Sequence, residues 1–113
     1  MNKYQVFQVF ITKEMVAKAN REGIESVPEL AYNRECLLNK TFDSTNFWYY
    51  THVANVSASD LEEDFKITNL WNEPEKVEFI QRMHSLNVGD ILLDESTNKY
   101  YIVANFGFDE IFI

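Results

Sequence analysis

The chain has 113 residues, 46% of them hydrophobic, 15% aromatic and 25% charged, and its formal net charge is -8. That length fits one domain spanning 1–113, and the apolar and aromatic load excludes an intrinsically disordered chain. No apolar run approaches the roughly 20 residues of a membrane-spanning helix, and an acidic chain without a basic run disfavours direct nucleic-acid or anionic-membrane binding.

Tyr4–Ile11 is rich in β-branched and aromatic residues and predicts a strand. Thr12 then supplies an N-cap for a helix over Lys13–Glu22, with Glu14 in the first turn and Gly23 just past the end. Its apolar stripe is Met15, Val16 and Ala19. Pro28 suits a first helical turn, so a second helix is expected from about Val27 to Asn39, with Leu30, Tyr32, Cys36 and Leu37 inward. Residues 40–46 are polar and read as a loop. Phe47–Val56 is the next expected strand.

Ser59-Asp60-Leu61-Glu62 matches a capping box, with Ser59 as N-cap and Glu62 at the third helical position. The helix is expected to reach about Thr68, burying Leu61, Phe65 and Ile67 or Thr68. Glu62, Glu63, Asp64 and Lys66 then fall mostly on the outer side, and Asn69 suits the left-handed closing turn. Pro74 opens a short helix that turns Val77, Phe79 or Ile80 inward. Val88–Asp94 is a turn entering a strand, Glu95–Asn98 a hairpin connection and Lys99–Asn105 the return strand. Gly107 breaks that run before a last strand over Phe108–Ile113. The order predicts an α+β fold, a mainly antiparallel sheet of about 4–5 strands with two to four helices packed on one face.

Charge is unevenly placed. Residues 1–56 hold six Lys/Arg and six Asp/Glu, whereas residues 57–113 hold four Lys/Arg and twelve Asp/Glu, so the whole excess lies in the second half. Such an excess steers a protein toward basic surfaces, or simply keeps it soluble.

Familiar catalytic motifs are missing. Three glycines cannot build a phosphate loop, and one cysteine with two histidines 32 positions apart gives no zinc spacing. No metal or cofactor is therefore expected. The best convergent set is Thr68, Asn69, Trp71, His84, Ser85 and Asp90, an alternative pocket for a small enzyme or ligand-binding domain. Adjacent residues on an extended segment point apart, however, so His84 and Ser85 are not natural partners. The competing reading makes Ser85 and Asp90 braces of the hairpin. His52 reads as a hydrogen-bonded structural residue and Cys36 as a small buried hydrophobe. The group Phe47-Trp48-Tyr49-Tyr50 reads either as interface anchors or as core. A single cysteine and the lack of a signal-peptide pattern at Met1-Asn2-Lys3-Tyr4 fit a cytoplasmic protein.

From Val53 onward the chain carries Val53–Val56, Leu61 to Phe65, Thr68-Asn69, Trp71, Ser85-Leu86-Asn87-Val88-Gly89-Asp90 and Gly107-Phe108. This pattern resembles small uncharacterised proteins of bacteriophages and mobile elements, and covers about half the chain. The resemblance implies no catalytic role. It implies an acidic protein that binds and blocks a basic, nucleic-acid-binding host enzyme. The candidate contacts are Glu62, Glu63, Asp64, Glu73, Glu75, Glu78, Asp94, Glu95, Asp109 and Glu110.

Overall fold

A computed structural model describes residues 2–37 and 42–113. The expected helix end at Asn39, the loop residues Lys40 and Thr41, and the side chain of Leu37 lie outside them. The described chain forms β1 (Asn2–Val9), α1 (Lys13–Glu22), α2 (Pro28–Leu37), β2 (Tyr50–Ala58), α3 (Leu61–Leu70), β3 (Val77–Phe79), β4 (Ile91–Asp94), β5 (Lys99–Val103) and β6 (Phe108–Ile111). The fold is α+β, with one fully antiparallel sheet in the order β3-β2-β1-β4-β5-β6. Its six strands exceed the expected four or five, because Val77–Phe79 adds an edge strand where a short helix alone was expected.

Period-two alternation decides what the sheet buries. Tyr4, Val6 and Gln8 of β1 point to one face, where Val56, Leu92 and Val103 join them and α3 closes the core with Ile67. Phe7 points to the other face, where its ring meets those of Phe47, His52 and Tyr100 at 5.2, 5.1 and 6.2 Å. A second, smaller core forms where α2 sets Tyr32 and Cys36 against Val9. The β1–β2 register slips between Val6 and Phe7, leaving Val53 as an extra residue. Its carbonyl accepts the amides of Ile80 and Gln81, which ties the segment after β3 to the bulge.

Local chemistry explains where boundaries moved. Phe47–Tyr49 is not strand: Asp43 accepts the amide and hydroxyl of Thr45 and starts a 3-10 turn over Ser44–Tyr49. A side-chain cap thus outbids β-propensity for three aromatic residues. Phe47 is carried onto Phe7, Tyr49 stacks on Tyr32, and Trp48 is left 90% exposed.

Asp60, not Ser59, caps α3, accepting the Glu63 amide at 2.8 Å, while the Glu63 carboxylate reaches back to the Ser59 amide and hydroxyl at 3.1 Å each. The box therefore sits one residue later than Ser59 to Glu62. Its inner face is Asp64, Ile67 and Thr68, with Leu61 half-buried and Phe65 36% exposed. The left-handed closing residue is Trp71 (φ 55°), not Asn69. Helix α1 follows its expected bounds, capped by Thr12 on the Met15 amide, but buries none of its residues.

Candidate functional site

The segment 84–90 is built around a residue that sequence reading passed over. Gln8, buried in β1, donates Nε2–H to the His84 carbonyl and to Asp90 Oδ2, both at 3.0 Å, and accepts the His84 amide at 3.2 Å. Asp90 Oδ2 also accepts the Asn87 amide at 2.8 Å. Burial pushes the Asp90 carboxyl up, opposed by the charge of His84 and by those hydrogen bonds. His84 is exposed and donates Nδ1–H to the Ser85 carbonyl at 2.7 Å. The imidazole thus faces a backbone acceptor, and the Gln8 amide bridges toward the buried carboxyl. No hydroxyl–imidazole–carboxylate relay is assembled.

Of the other three members of the alternative pocket, Asn69 and Trp71 hold this segment from α3. Asn69 Nδ2 donates to the carbonyls of Phe65 at 2.8 Å and Leu86 at 3.3 Å. The Trp71 indole donates to Ser85 Oγ at 3.2 Å and stacks on Phe79. Thr68 is fully buried and turns its hydroxyl back to the Asp64 carbonyl at 2.9 Å. Asn69, Trp71, His84, Ser85 and Asp90 are therefore linked as braces between α3, β1 and the start of β4, while Thr68 bonds back within α3. This is the reading that hydrogen bonding to backbone favours.

Two of the ten expected docking carboxylates are not on the surface. Asp64 is fully buried with neither carboxylate oxygen hydrogen-bonded, and desolvation raises its pKa to about 7. It takes the inward place expected of Phe65, beside Ile67 and Thr68. Asp94 is 8% exposed and accepts the Ser96 amide at 2.9 Å and the Ser96 hydroxyl at 2.6 Å, locking the β4–β5 turn.

The remaining eight divide between the two ends of the sheet. Near β3, Lys76 pairs with Glu73 at 3.0 Å and with Glu63 at 3.9 Å, and Glu78 accepts from Asn55 at 2.7 Å. Glu75 is exposed beside them, in the 3-10 turn Pro74–Lys76. Toward the β6 end, Glu62, Asp109 and Glu110 are exposed, and Glu95 accepts only a long bond of 3.3 Å from Gln5.

Two hollows flank β5 and β6, one on each face. The first, about 460 Å3, is walled by Tyr4, Tyr101 and Phe108 with Asp60, Glu62 and Asp94, and no lysine or arginine lines it. The second, about 430 Å3, lies against Cys36, Ile102, Asp109 and Ile111. Burial raises the Cys36 thiol, so it stays protonated at the base of this second hollow. None of the six alternative-pocket residues lines either hollow. Among the described residues, no three His, Cys, Asp or Glu side chains converge as a metal centre, and no helix is long and apolar enough to cross a membrane.

Comparison with protein-family models, with curated proteins and with solved structures finds no match.

Proposed function

We propose that this chain is a non-enzymatic, acidic protein-binding module whose partner presents a basic surface, and that the contact lies at the β6 end of the sheet. One observation carries the reading: a hollow walled by three aromatic rings and three acidic residues, with no lysine or arginine among its lining residues. Such a wall suits an arginine or lysine side chain, whose stem packs on rings while its head meets carboxylates. The exposed Asp109 and Glu110 extend that field beyond the hollow. Nucleic acid is not the proposed partner, since these carboxylates repel phosphate.

The resemblance to phage and mobile-element proteins supplies the biological form of the proposal, an inhibitor that covers the basic face of a nucleic-acid-binding host enzyme in the cytoplasm. Affinity capture from source-cell lysate, run at low and at high salt, tests it. A partner retained at low salt and shed at high salt is expected. Capture that ignores salt contradicts it.

A further inference from the structure

Strand β6 is the last strand of the sheet and pairs with β5 alone. Its register decides which of its backbone groups are free. The Gly89 amide donates to the Val103 carbonyl and the Val103 amide to the Asp90 carbonyl, so Val103 addresses the β4 side. Its neighbours Ile102 and Ala104 therefore address β6, and the Ala104 amide does donate to Gly107. Ile102 opposes Asp109 and Tyr100 opposes Ile111, so Asp109 and Ile111 spend their amides and carbonyls on β5. Phe108 and Glu110 point theirs outward, with no strand paired to them among the described residues.

Side chains continue the pattern. By alternation Phe108 and Glu110 share one face and Asp109 and Ile111 the other; Phe108 lines the acidic hollow, and Asp109, Glu110 and Ile111 border the second. Phe106 and Phe112, 97% and 78% exposed, stand just beyond the two ends of the strand. The opposite edge is better guarded: β3 has three residues, Phe79 is stacked on Trp71 and Glu78 is held by Asn55.

We propose that β6 is a strand-addition site, and that its occupant is an extended segment of the partner with lysine or arginine at alternate positions. The segment would pair with the outward groups of Phe108 and Glu110, set its cations, which all fall on one face, beside Glu110, and lie between the Phe106 and Phe112 rings. A second copy of this chain is disfavoured, because antiparallel pairing of two β6 edges centred on Asp109 or on Glu110 sets that carboxylate against its own counterpart. This inference rests on the basic-partner reading and adds to it the backbone edge.

A short synthetic peptide alternating lysine with threonine is the ligand to use, with its glutamate-for-lysine counterpart as control. The lysine peptide is expected to slow hydrogen exchange at the Phe108 and Glu110 amides, and the glutamate peptide to leave them unchanged. Glu110→Gln keeps the amide and loses the charge, whereas Glu110→Pro also loses an amide that β5 does not use. Proline is expected to weaken peptide binding roughly tenfold more than glutamine does, about one hydrogen bond's worth. Equal binding by the two variants, protection confined to other residues, or a salt-resistant dimer without peptide would overturn the edge proposal. Should the proline variant unfold, the exchange pattern of the unsubstituted protein decides alone. If the lysate partner still binds the folded proline variant with full salt sensitivity, the edge is wrong and the basic-partner reading stands.

Discussion

A carboxyl buried without hydrogen-bond partners is stable only as the neutral acid, and Asp64 is in that position. Its folded pKa, about 7, lies above its ordinary 3.8. Between those values the folded state holds a proton that the unfolded state has released, so this group's contribution to stability falls as pH rises through that window. The slope is at most about 1.4 kcal/mol per pH unit. Asp64→Asn is expected to raise the melting temperature more at pH 8 than at pH 5, and thermal melts at both values check it. Asp90 is shifted in the same direction by burial and adds to the slope. Nothing in the sequence marks Asp64 as buried, because it sits in an acidic run that reads as a solvated face. Gln8 was hidden for another reason: its partner His84 is 76 residues away in sequence. Gly89 is constrained twice over, with φ at 93° and an added Cβ 2.7 Å from the Cβ of Cys36. Gly89→Ala is expected to cost on the order of 2–3 kcal/mol by denaturant titration, with no rescue from Cys36→Ala, which keeps the offending Cβ.

Elements with local punctuation were legible in the sequence. Thr12 and Gly23 bracket α1, and the hairpin through Glu95–Asn98 is closed by the side chain of Asp94 and a left-handed Asn98. Where two equally good caps adjoin, the sequence is ambiguous by one residue. The inner face is less so: Leu61, Ile67 and Thr68 keep the side expected of them, and Asp64 takes the place expected of Phe65. The structure's choice is testable: Asp60→Ala is expected to cost about 1 kcal/mol and Ser59→Ala distinctly less, measured by urea titration. The reverse order would return the cap to Ser59. The 3-10 turn at Ser44–Tyr49 was hidden beneath a strong strand composition, since only the capping contacts of Asp43 overrule it. Strand β3 escaped notice because its pairing partner is the second half of β2, reached only after α3 has crossed back.

For the molecule as a whole, the acidic second half of the sequence does not form one continuous acidic face. Folding buries three of its carboxylates, pairs others around Lys76 and Asn55 near β3, and leaves Glu62, Asp109 and Glu110 exposed toward the β6 end. Composition gave the sum, and the sheet order supplied the placement, which no count along the chain contains. The two ends of the sheet can therefore be told apart by substitution. The deciding measurement is the affinity of the captured partner across a salt series for two triple variants, Glu62→Gln/Asp109→Asn/Glu110→Gln at the β6 end and Glu73→Gln/Glu75→Gln/Glu78→Gln near β3. Neutralising the β6 end is expected to weaken binding by roughly tenfold or more at low salt and to flatten its salt dependence, while the β3 set changes little. Equal losses from the two sets, or a partner indifferent to both, would contradict it.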